Sequence, residues 1–245
     1  MKKQIFFFLS IILLIVSFNN YAKEKFVLMT MLYNETNEKR IAEYKECINK
    51  NISHSLIEEM YVLYDISKDD NNNELFSYLV EQDITITKIK GRATYADFFN
   101  LANELYPDQK IILSNADIYF DETLELLLDY DFNNTFLALT RYETDKKTGE
   151  QDIRRFGSRK RIDSGSQDTW IFKTPIYIFE ADKVCMGILG CDNAIVHKAF
   201  QQGYKVINPC LTIKCFHNHL SGVRNYGRSK CKEPFKKING STLYS

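Results

Sequence analysis

Prolines are scarce, four among 245 residues, so the chain has few obligatory breaks and no low-complexity or collagen-like character. Neither charge dominates, with 32 basic against 32 acidic residues. That balance removes the global field a non-specific nucleic-acid binder relies on, and no nucleic-acid partner is expected. No CxxC pair occurs among the six cysteines, which argues against a zinc ribbon. No apolar run reaches the ~20 residues of a membrane-spanning helix. There is no internal repeat and no domain linker.

The longest apolar run, Ile5 to Phe18, follows Lys2 and Lys3 and precedes Asn19-Asn20-Tyr21-Ala22. Charge, apolar run and small residue in that order predict a secretory signal over 1–22, with cleavage after Ala22. Asn20 is large for its place in such a site, so an uncleaved anchor stays open, the one case in which a membrane is a partner. Either way the chain is expected to be exported, whether secreted, periplasmic or in a secretory-pathway lumen. The remainder, 23–245, is sized for one α/β domain. An even count of cysteines (Cys47, Cys185, Cys191, Cys210, Cys215 and Cys231) permits disulfides in an exported chain, with buried free thiols as the alternative.

Short β-branched and aromatic runs alternate with helical patterns. Phe26–Leu32, Met60–Tyr64, Ile84–Ile89, Lys110–Leu113 and Thr135–Thr140 read as strands. Between them, 36–50, Leu75–Gln82 and Thr94–Leu105 read as helices, the last with Thr94 and Asp97 as its start signal. Asp121 is expected to cap a helix over Glu122–Leu128, and Asp69–Asn73 reads as a loop. The rhythm predicts an α/β fold: a mainly parallel central sheet covered by helices on both faces. Residues 143–166 are charged and punctuated by Gly and Ser, with a basic cluster at Arg154–Arg161 suited to a lid over an anion or simply to solvent. Later, Thr169–Phe172, Tyr204–Ile207 and Leu211–Phe216 read as strands. Asp192 is expected to cap a helix ending before Gly203, and the tail beyond Gly222 reads as loosely held.

In an open parallel sheet, ligands bind at the carboxyl ends of the strands. The residues placed there are Tyr33-Asn34-Glu35, Arg92, Asn115-Ala116-Asp117, Arg141-Tyr142-Glu143 and His217-Asn218-His219. They supply oxygen and imidazole ligands for a divalent cation and arginines for phosphate.

Tyr-Asn-Glu after the first strand, and the helix Arg92–Asn103 leading to Asn115-Ala-Asp117, resemble the GT-A-type nucleotide-sugar glycosyltransferases. The later Ser166–Phe172, Gly190-Cys-Asp-Asn193 and His217-Asn-His219 resemble a bacterial and plant group of glycosyltransferase-like proteins. The resemblance spans about 26–226 and implies a single GT-A-like, Rossmann-like domain. It further implies a glycosyltransferase, of hexosyl or related type, that moves a sugar from a nucleotide-sugar donor to the hydroxyl of a glycan or protein acceptor. Asn115-Ala-Asp117 stands where that family has Asp-x-Asp, so the resemblance implies Mn²⁺ or Mg²⁺ on Asp117 with His217 and His219. A carboxylate there stabilises the leaving diphosphate through the ion.

By the same resemblance Asp192 deprotonates the acceptor, with Asp168 in reserve. Tyr33, Asn34, Glu35, Arg92, Asn115, Trp170 and Asn193 would contact substrate, Trp170 by stacking on the sugar. Bland readings stand beside each: turn residues for Asn115 and Asp117, a helix cap for Asp192, a core side chain for Trp170, a surface arginine for Arg92. Cys215 shares the parity of His217 and His219, which leaves a zinc site open. A metal-dependent hydrolase would show a denser His/Asp cluster. The alternative function is a non-catalytic glycosyltransferase-like module that binds a glycan or protein partner. Asn115 in place of Asp favours it, as does export away from cytosolic donors.

Overall fold

The computed structural model describes residues 24–67, 73–145, 147–156, 161–162, 165–223 and 230–244. The signal segment 1–22 with the expected start at Lys23, most of the Asp69–Asn73 loop and the middle of the Arg154–Arg161 cluster lie outside these residues. Among the described residues, no helix is long and apolar enough to cross a membrane.

The first half of the chain runs β1 (Phe26–Tyr33), α1 (Glu38–Ile52), β2 (Ile57–Asp65), α2 (Glu74–Glu81), β3 (Thr85–Ile89), α3 (Tyr95–Leu105) and β4 (Lys110–Ser114). Then come β5 (Ile118–Phe120), a 3₁₀ turn at Glu122–Leu127, β6 (Thr135–Leu139), β7 (Tyr142–Thr144), β8 (Gln151–Ile153), β9 (Arg155–Phe156) and β10 (Arg161–Ile162). The chain continues through β11 (Thr169–Lys173), α4 (Cys191–Gln201), β12 (Lys205–Ile207) and β13 (Cys215–His217). Seven strands form the central sheet in the order β12-β6-β11-β4-β1-β2-β3. Six run parallel, and β11 alone is antiparallel to both its neighbours.

The sheet is buried on both faces, and the period-2 alternation of its strands shows how. Val27 and Met29 of β1, Ile111 and Leu113 of β4, and Trp170 and Phe172 of β11 pack with α3 and α4. Phe26 and Leu28, Ile112, and Ile171 pack on the other side with α1 and α2. Each fully buried side chain of this size stabilises by about 1.5–3 kcal/mol, and both faces need covering for strands this apolar. Helix α3 starts as its sequence requires: Thr94 Oγ1 accepts from Asp97 N, and Asp97 Oδ2 accepts from Thr94 N at 2.7 Å.

Several expectations are corrected. The charged stretch after Arg141 carries strand: β7 and β8 pair, and β7 joins β13, β5 and β8 in a second, four-stranded sheet. Leu211–Phe216 contributes only Cys215–His217 as strand, and to that second sheet rather than the central one. The helix after Asp121 is a 3₁₀ turn. Asp192 does not cap α4. Gly190, at φ +89°, occupies the cap, and Asp192 lies in the first turn. The tail is not loose beyond 230: Lys230 pairs with Leu189 and Gly240 with Asn208, and Leu243 is buried. All six cysteines are free thiols.

Candidate active site at the carboxyl edge of the sheet

The carboxyl ends of β1 and β4 are tied together by Thr30, whose hydroxyl donates to Ser114 O at 2.8 Å. The chain then turns through Asn115–Asp117 into β5, and Asn218 N donates to Asp117 O at 2.8 Å. These bonds bring the residues around 30 and around 218 to the same turn after β4. Beside them opens a pocket with a cavity volume of about 100 Å³. Tyr33, Arg92, Asn115, Asp117 and His219 line it together with Arg40 and Tyr44.

Asp117, His217 and His219 form the one group of three such side chains among the described residues that could hold a metal ion, with one ligand atom of each within 4.8 Å of the others. His217 Nε2 is 3.2 Å and His219 Nδ1 3.7 Å from Asp117 Oδ2. The imidazole rings stack 5.2 Å apart, which keeps both on one side although only His217 is within β13. Burial alone would raise the Asp117 carboxyl, but His217, His219 and Arg40 hold it well below the usual range. Burial pulls His217 down, whereas Asp117 and Glu143 together raise it to about 9.

Glu143 Oε2 fixes the far nitrogen of His217 at 2.8 Å, the orienting partner a ligating imidazole needs. His219 Nε2 is buried without a partner. A donor set of two imidazoles and a carboxylate suits a transition-metal ion better than Mg²⁺, which prefers oxygen. Cys215, fully buried, is outside the group.

A second cluster lies next to the pocket wall. Asp168 Oδ1 accepts from Arg141 Nη1 at 2.6 Å and from Asn115 Nδ2 at 2.9 Å, while its Oδ2 is buried without a partner. Burial opposes the Arg141 charge, but Asp168 and Glu143 hold its pKa above the usual value. Asp192 keeps a small exposed surface, yet burial and then the Asp168 charge push its carboxyl up to about 7. It does not line the pocket of Asp117.

Other residues expected at the site lie elsewhere. Trp170 is 1% exposed and packs edge-on against Tyr95 in the core, so it offers no face to a sugar. Asn34 and Glu35 are buried and do not line the pocket. Glu35 instead organises backbone: its Oε1 accepts from Thr36 N and Asn37 N, and its Oε2 from the Tyr33 hydroxyl. Asn193 is buried and donates to Gly165 O. Arg92 lines the pocket and donates to Met186 O and Gly187 O.

Arg40, Glu43 and Tyr44 were not expected. They occupy the buried stripe of α1 with Cys47 and Ile48. A charged pair on an otherwise apolar i, i+3, i+4, i+7 face was the available signal.

No protein-family model matches the chain, and no curated protein matches it in sequence. Its fold is GT-A-like, similar to that of GalNAc-T7. GalNAc-T7 with UDP, GalNAc and Mn²⁺ aligns at TM-score 0.54 and 11% identity, over 79% of this chain and 44% of that one. S. aureus TarS aligns at 0.48 and 14%, over 80% and 37%. The mannosyltransferase PcManGT from Pyrobaculum calidifontis, in complex with GDP-Man and Mn²⁺, aligns at 0.49 and 13%, over 80% and 57%. The chain thus spans less than two thirds of each.

Proposed function

We propose that this chain is a glycosyltransferase that uses a nucleotide-sugar donor and a divalent cation, Mn²⁺ before Mg²⁺, to glycosylate a glycan or protein hydroxyl. The observation carrying this reading is the Asp117–His217–His219 group, of which Asp117 and His219 line a pocket at the carboxyl edge of a GT-A-like sheet. A cation held there supplies charge stabilisation to a leaving diphosphate.

The chain's own residues do the rest. Arg92 and Tyr33, on the pocket wall, are placed to bind donor oxygens. Glu143 orients His217. Asp192, with its carboxyl near the operating pH, is suited to take the acceptor's proton. Asp168, one of whose oxygens is committed to Arg141 and Asn115, is the positioning partner whose charge raises Asp192.

One observation favours the binding-module reading instead: Asn115 donates to Asp168 and supplies no charge where a second carboxylate would reinforce a metal. Calorimetric titration of UDP or GDP with and without Mn²⁺ separates the two. The transferase reading expects binding strengthened by Mn²⁺, with the Mn²⁺ effect lost in Asp117→Ala. Equal affinity with and without the ion supports the binding module.

A further inference from the structure

The cation already lying on Asp117 is an arginine. Arg40 Nη2 donates to Asp117 Oδ2 at 2.9 Å, and Nη1 contacts His219 Nδ1 at 2.6 Å. A guanidinium has only donors, so His219 Nδ1 accepts, and its lone pair is occupied. These are two of the three atoms a metal ion would use. We propose that Arg40 is a resident competitor for the metal, closing the site with its own charge until the ion displaces it from Asp117 and His219. The inference rests on the metal site proposed above.

The surroundings show a guanidinium built into place. Arg40 is 5% exposed and stands on α1, a rigid element. Glu43 Oε2, one turn on, holds Nη1 at 2.5 Å, and the Tyr44 hydroxyl accepts from Nη2 at 3.0 Å. Glu43 is itself anchored by Ser221 N and the Ser221 hydroxyl. Without a metal and without Arg40, Asp117 would be a buried carboxylate with His217 as its remaining charged partner, a costly arrangement that the guanidinium relieves.

With a metal on the same oxygen, two cations would face each other across a hydrogen-bond distance, so one must withdraw. Glu43 and Tyr44 still hold Arg40 when it releases Asp117 and His219, which leaves its charge on the wall of the pocket. An anion entering that pocket gives Arg40 a new partner, so metal and diphosphate should assist each other's binding.

The test is Mn²⁺ affinity, read from the electron paramagnetic resonance of free Mn²⁺, in the full chain. Arg40→Met alone leaves Glu43 as a newly free carboxylate, so the informative pair is Glu43→Gln against Arg40→Met/Glu43→Gln. The double variant also replaces a buried ion pair by neutral groups, a change folds commonly tolerate. The expected result is Mn²⁺ bound at least about tenfold tighter by the double variant than by Glu43→Gln.

Equal or weaker binding by the double variant overturns the proposal and leaves the metal site standing; a merely structural Arg40 gives that result. No Mn²⁺ binding by any variant, or tightening that survives Asp117→Asn, overturns the metal site and the proposal together.

Discussion

Asp192 is in the first turn of α4 with its carboxyl pushed up to about 7 by burial and by Asp168. The sign of its contribution to stability follows. Below the unfolded value of about 4, both states hold the proton and nothing is lost. As pH rises towards 7 the unfolded chain ionises first, so native stability falls over that window. Thermal melts of wild type and Asp192→Asn should therefore differ by more at pH 8 than at pH 4.5, with Asn the more stable at pH 8. A constant offset at both values would mean that the carboxyl titrates normally. Transfer should rise with pH through about 7 in wild type. Asp192→Asn should lower it ~10²–10⁴-fold while leaving Mn²⁺-linked nucleotide binding unchanged.

At this scale the strand-end rule located Tyr33, Arg92, Asn115, Asp117 and His219, because strand termini are local features of a sequence. It could not find Arg40, which reaches the site from the buried face of a helix. The resemblance, not that rule, set Trp170 against the sugar, and the core reading held because Trp170 packs on Tyr95, 75 positions away.

Helix α3 is the element most legible in the sequence, since its capping box is written in four residues. Thr94→Ala removes the side-chain half of that box and should cost about 1 kcal/mol. In a domain of this size that lowers the melting temperature by roughly 2–4 °C. An unchanged midpoint would show that Thr94 is held by its bridge to Cys185 rather than by the cap. Helix α4 was harder to read. Aspartate is so common a cap that Asp192 attracted the role, while the left-handed Gly190 that performs it has no side chain to announce itself. The second sheet was illegible for a different reason. Its strands β5, β7, β8 and β13 are three residues each, too short for period-2 alternation to register, and apart from the β7–β8 hairpin they pair across long sequence separations.

For the whole molecule, the antiparallel strand β11 matters most. Its start, not its end, lies at the carboxyl edge of the sheet, so Asp168 just before it arrives beside Asn115 just after β4. The alternation of apolar runs gave the parallel sheet and its two covered faces, but nothing in a five-residue strand reveals its direction. The pocket likewise draws on residues near 33–44 and near 219, positions that only the finished fold brings together.

The bond from Glu43 to Ser221 fastens the first helix to the segment after β13. An ion on Asp117, His217 and His219 adds a second clasp, from the turn after β4 to the segment at the end of β13. An ion at a hundred times its dissociation constant adds about 2.7 kcal/mol to the folded state, roughly 5–10 °C in melting temperature for a domain of this size. Asp117→Ala should show no such rise. Amide hydrogen exchange would show this clasp directly: on adding Mn²⁺, the amides of 115–120 and those of 215–219 should slow together, segments about a hundred positions apart answering as a single unit.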